Sequence, residues 1–469
     1  MTSEQFVSGV VLPPVVLDRS AGRSLAVQVA DALRTAAAGG ALRPGDRLPS
    51  TRTLAQELAV SRTVTAAAYD QLLAEGWIAA RRGSGTTVVG TPGRSAADAP
   101  RPAPAGAPGS APRDLISLRA GVPCVEVLDG AAWRRAWRIV GDVRVESRLD
   151  AAGLPEFRAV VGEHLLRHRG LPVGPSAIIA TTGSTAALAE LGRCLPAGLP
   201  IAVEDPGYVS GAAALASAGH PLVGVPVDDE GLIVDAVPAG VAAVCVTPAH
   251  QYPMGARMSA RRRVALVERA RRDGFLVIED DYDGELRYDV APLPLLAALG
   301  PDVVAHLGTA SKMLTPVLGC GWLVAPPEVT AAVLAARAAT GTRPPTAGQH
   351  VVVALARAGD LGRHLRRLRR ELAGRRATVV QAVQRAGWPV LGDPAGAHVV
   401  VDLVGGSGAD EQLIVVAAQA LGVEVDGLAR HHRRAGGRAG LVLGYAGPTR
   451  ADLDRALAVM TRVLAQARG

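Results

Sequence analysis

The sequence predicts two domains of different class. A small α+β head of winged helix-turn-helix type precedes a large α/β domain with a mainly parallel sheet and a smaller C-terminal α+β part. Three observations predict this. Residues 91–113, TPGRSAADAPRPAPAGAPGSAPR, lose all hydrophobic periodicity and read as a stiff linker of Pro, Ala, Gly and Ser. Ahead of it, two short amphipathic segments meet at a tight turn and are followed by a strand, a turn and a strand. After it, short apolar runs ending in polar loops alternate with helical segments, the pattern of a parallel sheet. The expected boundaries are 1–90, 91–113 and 114–469.

The bulk numbers agree. A chain of 469 residues exceeds one ordinary domain. Hydrophobic residues make up 49% and aromatic ones only 3%, so Ala, Val, Leu and Gly must build the cores. The formal charge of +7 favours an anionic partner, nucleic acid or a phosphate ligand. Cys124, Cys194, Cys245 and Cys320 have neither metal-ligand spacing nor a disulfide framework, so no metal site is expected and the compartment reads as reducing. The first residues lack the basic and apolar regions of an export signal, and no clean apolar run is long enough for a bilayer. A cytoplasmic protein without membrane contact is expected.

In the head, SLAVQVADALRTAAAGG reads as an amphipathic helix with a Gly-Gly stop. LPSTRTLAQELAV starts a second helix capped by Ser50 or Thr51, with Leu54 and Leu58 on one face. A turn at Ala59–Val60 leads to Ser61, the expected cap of RTVTAAAYDQLLAEGW. That helix opens with Arg62, Thr63 and Thr65, donors suited to phosphates and base edges. WIAARRGSGTTVV then forms a β-wing with Arg81 and Arg82 at its base.

This segment closely resembles the winged-helix head of the GntR regulator family, over LRPGDRLPSTRTLAQELAVSRTVTAAAYDQLLAEGWIAARRGSGTTV. The resemblance implies binding to a double-stranded DNA operator. It places Ser50 and Arg52 on phosphate, Arg62 and Thr63 at the start of the recognition helix in the major groove, and Gly83 and Ser84 at the wing tip.

In the large domain, the polar residues at strand ends carry the chemistry. TTGSTAAL puts Gly183, Ser184 and Thr185 at a strand-to-helix junction, where free amides and hydroxyls make an anion cradle. VIEDDYD puts Asp280 and Tyr282 on one face just past a buried strand. GTASKML puts Thr309, Ser311 and Lys312 after another strand, and EDPGY supplies Tyr208 as an aromatic lid. Lys312 is the only lysine among 50 Lys+Arg. Arginine replaces lysine as a surface cation but does not form Schiff bases, so a lone lysine here points to amine chemistry.

An amine, a carboxylate, a phenol, an aromatic face and a phosphate cradle are what pyridoxal 5′-phosphate (PLP) requires. The segments EDPGY, TPAHQYPMG, IEDDYDGELRY and TASKMLTP closely resemble fold-type I aminotransferases. With the head attached, the chain resembles the MocR subfamily of GntR regulators. The resemblance implies a fold-type I PLP-dependent transferase-like domain and a homodimer. In it Lys312 forms the Schiff base with PLP, Asp280 pairs the ring nitrogen, Tyr282 touches the ring hydroxyl and Tyr208 stacks. Ser184, Thr185, Thr309 and Ser311 would hold phosphate, with His250 near the ring.

Three positions depart from that pattern. Gly319 stands where the family has a phosphate-binding arginine, Val442 where it has the arginine that clamps a substrate carboxylate, and Tyr252 where aminotransferases have Asn. Arg430, Arg433 and Arg434 of LARHHRRAGGR are candidate replacements whose placement the sequence does not fix. The losses weaken turnover more than binding. They favour a regulator sensing PLP or an amine or amino acid over a DNA-tethered aminotransferase or a decayed PLP site. The basic helix RHLRRLRRELAGRR, 363–376, reads as a solvated face of the small part.

Overall fold

The computed structural model describes residues 15–20, 22–81, 85–89, 115–144, 150–288, 294–434 and 436–468. It divides into two compact units, Met1–Ser110 and Ala111–Gly469. The expected linker, 91–113, lies outside the described residues, as do Arg82, Gly83 and Ser84 of the wing.

In the first unit, helix α1 (Leu25–Ala38) is capped by Ser24, whose hydroxyl accepts the amide of Val27. Strand β1 (Arg47–Leu48) precedes helix α2 (Thr51–Glu57), and Ser50 caps α2 through the amide of Thr53. Helix α3 (Arg62–Ala74) follows after a turn in which Ala59 adopts φ 49°, a left-handed conformation that costs a non-glycine residue roughly 1–2 kcal/mol. Arg19 steadies that turn by donating to the Ala59 carbonyl at 2.8 Å. Strands β2 (Ile78–Arg81) and β3 (Gly85–Val88) close an antiparallel sheet of order β1-β3-β2. Leu33, Leu54, Leu72 and Tyr69 are buried where the three helices meet the sheet. Each leucine contributes about 1.5–3 kcal/mol by burial, so Leu72→Ala would threaten so small a core.

The second unit opens with β4 (Ile116–Ser117). Its main sheet comprises β5 (Ile178–Thr181), β6 (Ile201–Asp205), β7 (Leu222–Asp228) and β8 (Gly231–Leu232). It continues with β9 (Ala243–Val246), β10 (Leu276–Asp280), β11 (Val304–Thr309) and β12 (Gly321–Val324). The order is β5-β12-β11-β10-β9-β6-β7-β8. Strands β11, β10, β9, β6 and β7 run parallel, while β12 is antiparallel to both β5 and β11. The central strands are almost wholly buried, as strands covered on both faces must be.

The smaller part carries β13 (Val390–Leu391), β14 (His398–Asp402), β15 (Val423–Glu424), β16 (Asp426–Gly427) and β17 (Gly440–Gly444). Four of them make an antiparallel sheet β13-β14-β17-β16, and β15 pairs in parallel with β4. The helix Asp360–Arg385 buries Leu365, Leu368 and Leu372 while Arg363, Arg366 and Arg370 face outward. Arg375 departs from the expected solvated face: it is fully buried and donates to Glu371 and to the Pro448 carbonyl. No helix among the described residues is long and apolar enough to cross a membrane.

Candidate cofactor site and nucleic-acid interface

Parallel strands deliver their polar termini to one edge, and there the second unit has a cavity of about 740 Å³. Ser184, Thr185, Tyr208, Asp280, Tyr282, Thr309, Ser311 and Lys312 all line it. Residues at or just past the ends of β5, β6, β10 and β11, scattered over more than a hundred positions of sequence, are thus brought together.

Each group is positioned locally. The helix Ser184–Cys194 begins at Gly183, which has φ 126° and provides no side-chain cap. Its first-turn amides therefore have no partner within the helix and face the cavity with the positive end of the helix dipole. The Thr185 and Tyr208 hydroxyls lie 2.8 Å apart, tying the cradle to the aromatic lid. Thr309 caps the turn Ala310–Met313 by accepting the Ser311 amide at 3.1 Å, which presents Lys312 to the cavity.

The electrostatics are those of a site prepared for a charged ring. Asp280 is buried, and its Oδ1 has no hydrogen-bond partner. Burial, reinforced by Asp281, pushes its pKa up to about 7. Burial also lowers the pKa of Lys312, opposed by the charges of Asp280 and Asp283. The Lys312 amine donates to the Gly121 carbonyl. An orphaned carboxylate oxygen, a primary amine of lowered basicity and an uncapped helix N-terminus on one cavity fit a phosphorylated aldehyde with a protonatable ring nitrogen. PLP is such a molecule.

His250 does not line the cavity. It lies behind Tyr282, whose hydroxyl donates to the His250 carbonyl at 3.0 Å. Its Nδ1 stands 2.8 Å from Asp283 Oδ2, so this residue orients the phenol rather than meeting a ligand. Behind Thr247, another lining residue, the buried Glu204 accepts that hydroxyl at 2.6 Å; burial raises the Glu204 pKa to about 7. Sequence reasoning missed Arg119, Gly121, Thr247, Asp426 and His431, which also line the cavity. The one cue for Gly121 is a Gly-Val-Pro turn, far from the other motifs. Of the candidate replacement arginines, Arg430 lines the cavity and Arg433 and Arg434 do not.

In the first unit, Ser50, Arg52, Arg62 and Thr63 are exposed, the first two at the start of α2 and the others at the start of α3. Thr65 corrects the sequence reading. It is 0% exposed, and its hydroxyl donates to the Thr51 carbonyl at 2.7 Å. One turn into α3, position 65 has rotated onto the face that packs against α2, so it holds the two helices together and offers nothing to DNA.

Two protein families match the chain. Bacterial regulatory proteins of the gntR family match residues 25–88, and aminotransferases of class I and II match residues 113–459. The HTH-type pyridoxine biosynthesis transcriptional regulator PdxR of Corynebacterium glutamicum is 38% identical over 78% of this chain and 80% of its own length. The probable rhizopine catabolism regulatory protein MocR of Rhizobium meliloti is 31% identical over 92% of each. Among solved structures, the multiple substrate aminotransferase of Thermococcus profundus superposes with a TM-score of 0.68 at 24% identity, over 76% of this chain and 93% of that one. The α-aminoadipate aminotransferase LysN of Thermus thermophilus gives 0.68 at 25% identity, over the same shares of the two chains, 76% and 93%.

Proposed function

Because this chain belongs to the MocR subfamily of GntR-type regulators, we propose that its aminotransferase-like domain holds PLP on Lys312 and reports PLP or an amine effector to the DNA-binding head. It is a DNA-binding transcriptional regulator, and PLP is the cofactor of its second domain. The observation that carries the site reading is that Lys312, Asp280 and the uncapped helix start at Ser184 line one cavity.

When bound, PLP supplies an aldehyde that condenses with primary amines and a ring that withdraws electrons. The residues have distinct tasks. Lys312 offers the amine. Asp280, whose Oδ1 lacks a partner, would pair with the proton of the ring nitrogen. Tyr282, whose hydroxyl donates to the His250 carbonyl, would meet the ring hydroxyl, and Tyr208 would cover the ring. The amides at Ser184 and Thr185, with the hydroxyls of Thr309 and Ser311, would hold its phosphate. Val442, fully buried between neighbouring strands, offers no cation where aminotransferases clamp a carboxylate, which favours sensing over turnover.

We place the linker at 91–113, with the head at 1–90 and the effector domain at 114–469. A homodimer acting in the cytoplasm suits the family's site architecture and a palindromic operator. Ser50, Arg52, Arg62 and Thr63, with the wing residues Arg82, Gly83 and Ser84, form the DNA contact.

The test is linkage. Full-length protein with PLP should be coloured, and an amine that changes its spectrum should change operator affinity measured by fluorescence anisotropy. Operator must then shift amine affinity by the same factor. Equal amine affinities with and without operator would show the two domains to be uncoupled.

A further inference from the structure

Behind the cavity wall lies a buried carboxyl that the cofactor groups do not use. Glu204, near the end of β6, is 5% exposed. Three donors converge on it from the loop that follows β9. The Thr247 hydroxyl donates to Oε2 at 2.6 Å and the Thr247 amide to Oε1 at 3.2 Å. The Gln251 side-chain amide donates to Oε2 at 3.1 Å. Gln251 is buried and held in place, because the same nitrogen serves the Pro206 and Tyr252 carbonyls and its Oε1 accepts the Met254 amide. The Thr247 amide is fixed by the backbone. Of the three donors, only the Thr247 hydroxyl can turn its hydrogen elsewhere. Thr247 also lines the cavity.

A hydroxyl has one hydrogen to give and two lone pairs with which to accept. One lone pair of Thr247 Oγ1 takes the Tyr252 amide at 3.0 Å. While Glu204 is ionised, the hydrogen goes to the carboxylate and the second lone pair is left for a ligand. Once Glu204 holds a proton, its O–H donates to Thr247 Oγ1 and fills that lone pair. The hydroxyl hydrogen is then released for a ligand. The bonds from Gln251 and the Thr247 amide survive, because a protonated carboxyl still accepts at both oxygens. One proton, taken from solvent and returned to it, thus turns Thr247 from an acceptor into a donor. The carboxyl is poised for that exchange: burial pushes its pKa up to about 7, against the bonds from Thr247 and Gln251. Asp280, at the end of β10, adds to the rise, and the Cys245 thiol on β9 is held neutral by burial and by these two carboxyls. Asp205, next on β6, is turned to the Arg433 amide and His432, and β7 sets the uncharged Val225 and Pro226 beside the pair.

We propose that Thr247 contacts the ligand with a hydrogen-bond polarity set by Glu204, so that a ligand rich in acceptors binds together with one proton. Thr247 is the specificity-determining residue of the pair and Glu204 its positioning residue. The inference rests on the cofactor reading above, since PLP, with its phosphate and ring oxygen, is the acceptor-rich molecule that the cavity fits. Asp280 works with the opposite sign, because a ring-nitrogen proton favours its ionised form. Overall PLP affinity against pH therefore mixes the two carboxyls, and Glu204 has to be read directly.

The experiment uses the full chain with its glutamate carboxyls labelled with carbon-13, which separates them in the infrared from Asp280 and Asp281. Without PLP, a protonated-glutamate band should titrate near neutral pH and vanish in Glu204→Gln. Saturating PLP should raise its midpoint by about half a pH unit or more, which by linkage is about a three-fold effect on PLP affinity. Thr247→Val, which replaces the hydroxyl with a methyl, should leave the midpoint unmoved by PLP, and Thr247→Ser should restore most of the shift. Thr247→Val also removes the acceptor of the Tyr252 amide, so thermal denaturation of each variant accompanies the spectra. No titrating band assignable to Glu204 would mean that it stays ionised, and would overturn the proposal outright. An equal shift in Thr247→Val would show that charge alone links Glu204 to PLP, and would overturn the part given to Thr247. A coloured protein whose midpoint PLP does not move would overturn the switch and leave the cofactor reading standing. A protein that stays colourless with PLP would overturn the cofactor reading and the ligand step with it, whereas the titration without PLP decides the proton step by itself.

Discussion

Lys312 donates its amine hydrogen bond to the carbonyl of Gly121, a residue 191 positions earlier in the chain. Gly121 has φ 86°, and a Cβ built there would stand 3.4 Å from the Lys312 nitrogen. The amine is therefore held by the segment that follows β4, near the start of the effector domain. A ligand that takes the amine must also release this carbonyl.

Lys312 should be the only side chain that borohydride fixes to PLP. Lys312→Ala should abolish the reduced adduct, seen as a mass increment on the peptide containing residue 312. Lys312→Arg should fare no better despite keeping a cation, because guanidinium does not condense with the aldehyde. The remaining primary amine is the chain's N-terminus, so an adduct persisting in Lys312→Ala would remove the lysine from the mechanism.

The head should separate base reading from phosphate contact. Arg62→Ala, at the start of α3, should cost about 1–3 kcal/mol on the cognate operator and much less on random duplex. Arg52→Ala should weaken both duplexes and flatten the salt dependence. Thr65→Ala should behave differently from either. Losing the 2.7 Å bond to Thr51 should destabilise the head by about 1–2 kcal/mol, while operator affinity per folded molecule stays unchanged. Anisotropy at two salt concentrations, with a denaturation curve for each variant, checks all three.

Asp280 should make the PLP-free protein less stable as pH rises. Its pKa is about 7 in the fold against an ordinary 3.8, so the folded state binds the proton more tightly than the unfolded one. Stability from this group is fully present below the unfolded value and is lost as pH rises from about 4 through about 7. Asp280→Asn removes the titrating group. Without PLP the variant should show a smaller loss of stability between pH 5 and 8, by an amount on the order of 2 kcal/mol. With PLP the order should reverse, because the amide cannot pair with a ring-nitrogen proton as a carboxylate does. Urea unfolding at the two pH values, with and without cofactor, decides it. An Asn variant that binds PLP as tightly as wild type would detach Asp280 from the ring nitrogen.

The parts of the site that are legible in the sequence share one property: each lies at a strand terminus, where an apolar run changes abruptly to polar residues. Thr185, Asp280 and Lys312 are readable because a parallel sheet delivers such ends to one edge. Composition isolates Lys312 independently. The parts that are not legible depend on contacts between distant segments. Gly121, Asp426 and His431 sit on segments whose partners no local pattern specifies, and His431 lies in an arginine-rich stretch whose placement the sequence does not fix. Thr65 reads as a DNA donor because donors in the first turn of a helix look alike in sequence, although the helical rotation sends only some of them outward. His250 belongs to the right motif but lies one layer behind the phenol it supports.

Gly319 is left-handed, with φ 54° and ψ 43°, and a Cβ built there meets nothing within 4 Å. An arginine at this position therefore meets backbone strain but no clash at its Cβ. The strain costs roughly 1–2 kcal/mol. A charge-assisted contact to phosphate returns about 1.5–3 kcal/mol. The strain is carried with and without PLP and so lowers stability, whereas the contact acts on affinity. Gly319→Arg should therefore retain PLP about ten-fold or more better than wild type if its guanidinium reaches the phosphate, at some cost in stability. Equilibrium dialysis at constant ionic strength measures the first, and unfolding of the PLP-free variant the second. Gly319→Ala supplies the strain without the cation and should lower stability with no gain in retention. If the arginine variant binds PLP no better than the alanine variant, the guanidinium does not reach the phosphate. The uncapped amides at Ser184 and Thr185, with the hydroxyls of Thr309 and Ser311, then suffice to hold it.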